Sequence, residues 1–163
     1  IFQSGEEGYV EGEVHGYIVY YNNDFTTMYA SWGCEQIVTT ANSNLDGSFN
    51  TQQILSSCNE EYTAAKYCDD LIIGPYDDWF LPAPSQLSNC VNVLMNLDFI
   101  NLLIGVWTSC EWYEGADASG GFSPGLGGGA DPYSYARVFQ PINDGFFWLQ
   151  KSGEYPFIAF RQF

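Results

Sequence analysis

The 163-residue chain fits a single domain able to bury a sizeable core, spanning 1–163 with residues 1–11 as an extended arm. Aromatic residues make up 18% of it, so rings must fill a core, an interface or a ligand surface. Twenty Asp and Glu against four Lys and Arg give a formal charge of -16, which repels polyanions and argues against nucleic acid, heparin-like chains and anionic membranes as partners.

Gly16 to Tyr21 is β-branched and aromatic and reads as a strand, ended by a turn at Asn22-Asn23-Asp24. Thr27 to Trp32 reads as the second arm of a hairpin. Residues 41–50 read as loop, and Thr51 to Cys58 as a short helix capped by Asn50 or Thr51. A helix follows over Glu60 to Leu71, with Ala64, Cys68, Leu71 and Ile72 on one face. Gly74-Pro75 stops it, with Gly74 as a left-handed C-cap. Trp79-Phe80-Leu81 forms an apolar plug, with Trp79 buried at the core. Pro84 opens a helix running to about Asn96, with Leu87, Cys90, Val91 and Leu94 at helical spacing. Leu102 to Ser109 is a buried strand. Residues 111–135 are Gly-rich, aromatic and without a basic residue, the composition of a long functional loop. Ala136 to Phe139 and Gly145 to Leu149 pair across an Asn143-Asp144-Gly145 turn, and Tyr155 to Phe163 closes the fold by pairing with the N-terminal strand. The order predicts an α+β domain: a twisted antiparallel sheet, two or three helices, and a long irregular loop before the last strands.

Four motifs carry a family resemblance. Tyr76-Asp77-Asp78-Trp79-Phe80-Leu81-Pro82-Ala83-Pro84-Ser85-Gln86-Leu87 resembles the Y-S-D-W-(F/Y)-L-P-S-x-x-E-L signature of the Lcl C-terminal domain family, named after the C-terminal domain of a bacterial collagen-like adhesin. Trp32-Gly33-Cys34 resembles its W-G-C, Ala64 to Leu71 its A-A-x-x-C-x-x-L, and Val106-Trp107-Thr108-Ser109 its Y-W-S-S strand. Phe157 to Phe163 is similar to the closing V-R-P-V-R-x-F, so the likeness spans roughly residues 12 to 163. It departs at Ala83, where the family has a Ser helix cap, and at Phe157 and Ala159, which break the basic-proline pattern. Members occur on bacterial surfaces and in phage proteins. The resemblance implies a C-type-lectin-like layout in which the long loop and last strands carry ligands. The adhesin's sulfated-polysaccharide ligand is not carried over to this acidic chain.

His15 is the only histidine and has no nucleophile motif beside it, so a structural or surface role is expected and no enzyme is predicted. The pairs Glu6-Glu7, Glu60-Glu61, Asp69-Asp70 and Asp77-Asp78 are adjacent in sequence and point apart, with Asp78 read as a turn or backbone cap. Glu111, Glu114, Asp117 and Asp131 crowd the long loop. Calcium takes six to eight oxygens, so Glu114, Asp117 and Asp131 are weak calcium candidates, and no other metal or cofactor is expected. Cys34, Cys58, Cys68, Cys90 and Cys110 lack zinc spacing and suit disulfides in an extracellular setting. One bridge is expected among Cys34, Cys58 and Cys68, and Cys90–Cys110 as another. Trp112, Tyr113, Phe122, Tyr133 and Tyr135, joined by Phe147 or Trp148, are the candidate ligand-binding residues, because Tyr and Trp give large contact area at low entropy cost.

The function expected is non-enzymatic recognition, an adhesin or receptor-binding domain on a cell or virion surface that engages a glycan or protein. The alternative is a structural or oligomerisation module of a fibre, filament or capsid decoration. The N-terminus, Ile1-Phe2-Gln3-Ser4-Gly5, carries no basic-plus-apolar leader, so the chain reads as a processed product or a piece of a longer one. No apolar run of about 18 residues occurs, so no membrane insertion is expected.

Overall fold

Tyr17–Val19 (β1) pairs antiparallel with the last strand of the chain, Tyr17 facing Gln162 and Val19 facing Phe160, so the two ends meet as the sequence predicts. The structure, a computed structural model, describes residues 1, 9–20, 28–96, 105–111, 133–140 and 145–163. Met28–Ala30 (β2) does not fold back on β1. It pairs with a strand near the C-terminus, Met28 facing Phe157. Two indoles explain the choice. Trp32 Nε1 donates to the Thr108 carbonyl (2.7 Å) and Trp107 Nε1 donates to the Ala30 carbonyl (2.9 Å), both with fully buried rings. This reciprocal clasp holds β2 in the interior, where a hairpin with β1 would leave both N–H groups without partners.

Helix α1 spans Gly47–Ser57 and starts earlier than expected. Asp46 is its cap, accepting from the Phe49 amide (2.9 Å). Asn50 and Thr51, the expected caps, are buried inside the helix and serve tertiary contacts. Asn50 Nδ2 donates to the Ser43 carbonyl (2.7 Å) and Ser109 Oγ (3.0 Å), and Thr51 Oγ1 accepts from the Leu81 amide (3.0 Å). Gly47 is required because a Cβ there would lie 2.5 Å from the Leu81 carbonyl oxygen. Helix α2 is only Ala64–Asp69, since Thr63 takes the cap position by accepting from the Lys66 amide (3.2 Å). Gly74, with φ +62°, is therefore not a helix C-cap. It turns the chain tightly between Ile73 and Tyr76, which exchange backbone hydrogen bonds of 2.9 and 3.2 Å. Helix α3 spans Pro84–Asn96, as the sequence predicts. Ala83 offers no side-chain cap, so Gln86 reaches back, its Oε1 accepting from the Ala83 amide (2.8 Å) and the Gly47 amide (3.1 Å).

Val106–Glu111 (β3), Tyr135–Gln140 (β4) and Gly145–Gln150 (β5) form a three-stranded antiparallel sheet in the order β3-β4-β5, which bears out the paired late strands. The closing segment divides into Tyr155–Phe157 (β6) and Phe160–Gln162 (β7), which serve different sheets. The protein is thus α+β, with three helices and small antiparallel sheets among the described residues.

The Trp79-Phe80-Leu81 plug is what joins these pieces. Trp79 and Leu81 lie in one apolar cluster with Trp32, Ile54, Ala65, Cys68, Trp107 and Phe157. Phe80 points into a second, with Leu87, Val91, Leu94, Phe139 and Phe160, as side-chain alternation in an extended segment requires. Its backbone bridges β7 through the Phe80–Phe160 pair (2.8 and 2.9 Å), and Pro82 accepts from the Ser109 amide of β3 (2.8 Å).

A buried ion pair closes the other side. Glu111 and Lys151 are 2% and 0% exposed, and Lys151 Nζ lies 2.5 Å from Glu111 Oε1. The carboxylate also accepts from the Thr39 and Thr40 amides (2.9 and 3.0 Å), while the ammonium donates to the Ile37 carbonyl (2.8 Å). Glu111 is therefore the buried end of β3 rather than one of the loop carboxylates with which it was grouped. Asp78, read as a turn or backbone cap, instead pairs with Arg161, whose guanidinium lies 3.9 Å from the centre of the Tyr76 ring.

Trp79→Ala should destabilise the protein by about 3–5 kcal/mol in chemical denaturation, the cost of a large cavity. The Trp79 indole N–H has no hydrogen-bond partner among the described residues, unlike that of Trp32. Trp79→Phe should accordingly cost clearly less than Trp32→Phe, and equal losses would refute this account of the core.

Candidate functional site

The predicted ligand residues do not form one surface among the described residues. Trp112, Tyr113 and Phe122 lie outside the described residues, as do Glu114, Asp117 and Asp131. Tyr133 is exposed and Tyr135 half-buried at the start of β4. Trp148, expected in an exposed patch, is buried at 7%. It sits opposite Arg137 in the β4–β5 ladder, and the guanidinium covers it at 5.4 Å. Phe147 is half-buried opposite Val138, on the sheet face away from Tyr135, which stands opposite Gln150.

The face that carries Arg137 holds the better-formed site. A cavity of about 290 Å³ is lined by Asn44, Pro84, Ser85, Ser88, Asn89, Arg137 and Phe146. Each wall has a local origin. The start of α3 supplies Pro84, Ser85, Ser88 and Asn89, and this helix end is fixed where the Ser85 amide donates to the Asn44 carbonyl (2.9 Å). Strand β4 supplies Arg137 and β5 supplies Phe146, which packs edge-on to buried Phe139 at 5.1 Å. The Asn44 side chain accepts from Arg137 Nη1 (2.9 Å), and the guanidinium carbon stands 4.4 Å from the centre of the Phe146 ring. Arg137 Nε is buried and has no hydrogen-bond partner among the described residues. Stacking on Phe146 and Trp148 and the bond to Asn44 hold the guanidinium plane in place. Sequence reasoning missed this site because Ser85, Ser88 and Asn89 read as the polar face of a helix and Arg137 as one strand residue. The scarcity of basic residues was the signal that could have marked it.

Other chemistry-bearing groups among the described residues make the following contacts. His15 contacts Glu13 Oε2 (2.7 Å) and the Phe163 carbonyl (3.2 Å), tying the two ends together. Cys34 and Cys58 form a disulfide with Cα atoms 5.4 Å apart, the bridge expected among the first three cysteines. Glu60 lies beside it, but sulfurs bonded to each other are not thiolate metal ligands. The expected Cys90–Cys110 bridge does not form. Cys110 keeps its thiol, which donates to the Glu111 carbonyl (3.4 Å) inside fully buried β3. No helix among the described residues is long and apolar enough to cross a membrane.

No known protein-family model matches the chain, and no curated protein matches it.

Burial pushes the Cys110 thiol up to about 12, with Arg137 opposing and Glu111 adding to the rise. Burial, with Asp69 nearby, raises Cys68 further still. The thiolate is the reactive form, so lowering the pH from these values towards 8 removes it almost completely. Cys68 and Cys110 should therefore resist iodoacetamide at pH 8 in the native protein and react once it is unfolded, as read by peptide mass spectrometry. Native labelling of Cys110 would contradict the buried placement of β3.

Proposed function

We propose that this chain is a non-enzymatic recognition domain of the Lcl C-terminal, C-type-lectin-like kind, displayed outside a cell or on a virion and binding a glycan or protein. The observation that carries the reading is the cavity beside Arg137, where a fixed cation, two serines and an asparagine converge on an apolar ring.

The family part of the reading is supported by where its motif residues meet. Trp32 of Trp32-Gly33-Cys34 donates to Thr108 of the Val106–Ser109 motif. Ala64, Ala65 and Cys68 pack with Trp79 of the signature stretch. Asp78 of that stretch pairs with Arg161 of the closing motif. The lectin-like part is supported by the paired termini, the helices between them, and the long stretch of sequence that separates β3 from β4. A disulfide persists in oxidising surroundings and so favours an exported setting.

The ligand site in this reading is the Arg137 cavity, with Trp112 and Tyr133 kept as binding residues expected from the sequence alone. The test is adsorption of fluorescent protein to printed glycans and to intact bacterial and epithelial cells. Selective binding that is lost in Trp112→Ala/Tyr133→Ala, at unchanged Tm, is the expected result. Adsorption to none of these surfaces, or loss of fold in the variant, would sink the proposal.

A further inference from the structure

We propose that the Arg137 cavity binds a small ligand bearing a single carboxylate, of the size of one acidic sugar residue; this deepens the recognition reading and rests on it. The argument starts from charge. The chain has four basic residues among 20 acidic ones. Lys66 pairs with Asp70, Lys151 with Glu111 and Arg161 with Asp78. Arg137 has no carboxylate partner among the described residues, although carboxylates outnumber cations fivefold. Its guanidinium is partly withdrawn from water, with Nε buried and bonded to no described residue. Among the described residues this cation has no counter-charge, and a ligand anion would supply one.

The geometry selects the ligand further. The guanidinium is already oriented by Asn44, Phe146 and Trp148, so little side-chain entropy is lost on binding. A planar guanidinium matches a planar carboxylate. Ser85, Ser88 and Asn89 line the same cavity and carry hydroxyl and amide groups for it. They suit the hydroxyl groups of a polar ligand, and Phe146 supplies an apolar wall beside the guanidinium. A volume of about 290 Å³ sits at the small end of ligand sites, which fits one residue rather than an extended oligomer. One cation meets one negative charge, whereas a polyanion would face the field of a chain with net charge -16.

The experiment titrates the full chain with glucuronate, galacturonate, N-acetylneuraminate, glucose and glucose 6-sulfate, following the Arg137 Nε–H resonance and ligand saturation transfer by NMR. At least one carboxylated sugar should bind about tenfold or more tightly than glucose, and more tightly than glucose 6-sulfate, as expected for a charge-assisted contact. Arg137→Gln should bring that sugar to the level of glucose at unchanged Tm, and Arg137→Lys should recover part of the binding. If Arg137→Gln fails to fold, Ser88→Trp, which fills the cavity, must abolish binding of the acidic sugar. Three acidic sugars no tighter than glucose, equal binding of the sulfate, or binding indifferent to both variants would each overturn the inference. Retention of cell or glycan-array adsorption by Arg137→Gln would sink this site and leave recognition to rest on the Trp112 and Tyr133 test alone.

Discussion

The Glu111–Lys151 ion pair is the contact on which the architecture most depends. Taking two charges out of water is expensive, and mutual attraction offsets the cost only when the remaining donors and acceptors are also satisfied. Here two backbone amides and one backbone carbonyl from residues 37–40 complete the pair. Those three residues belong to a connection with no regular structure, and Thr40 is held at φ +61°. A left-handed conformation is costly for a β-branched residue, on the order of 1–3 kcal/mol, and persists only where its surroundings impose it. The buried carboxylate imposes it by fixing the Thr40 amide. Lys151 follows β5 and Glu111 ends β3, so one contact locks both outer strands of the three-stranded sheet to the same loop.

The consequences reach the cavity. From Thr40 the chain runs directly through Ala41, whose carbonyl accepts from the Glu111 amide (2.7 Å), to Asn44, whose side chain holds Arg137. Asn44 also receives the first free amide of α3 through its carbonyl. The clamp thus sets the position of the residue that orients the guanidinium and of the helix end that faces it. The same economy of cations appears throughout: in a chain with four basic residues, three are committed to pairs that hold distant segments or a helix turn, and the fourth faces the cavity.

Much of the fold was legible in the sequence where local chemistry and tertiary demand agree. The Trp79-Phe80-Leu81 plug, α3 with Pro84 at its first turn, the β4–β5 pair and the meeting of the termini follow from apolar patterning and Gly/Pro punctuation. The errors fell where a side chain serves a distant partner. Asn50 and Thr51 look like helix caps but bind Ser43, Ser109 and Leu81, so Asp46 caps instead. Thr27 to Trp32 looks like a hairpin arm, but the Trp32 and Trp107 indoles draw it inward. Trp148 looks like a surface anchor, yet a register two strands wide places it beneath Arg137. The cavity itself could not be read, because its residues come from a loop, a helix and two strands that no spacing rule connects. Glu111 and Lys151, 40 positions apart, are invisible as a pair for the same reason.

A double-mutant cycle on Glu111→Ala and Lys151→Ala, measured by chemical denaturation, tests the central claim most directly. If the pair organises the fold, each single change costs about 3–5 kcal/mol by leaving the other charge buried and alone, and the double mutant loses much less than the sum, with a coupling of about 2 kcal/mol or more. Single losses below about 1 kcal/mol, or simple additivity, the behaviour of exposed or independent groups, would contradict it.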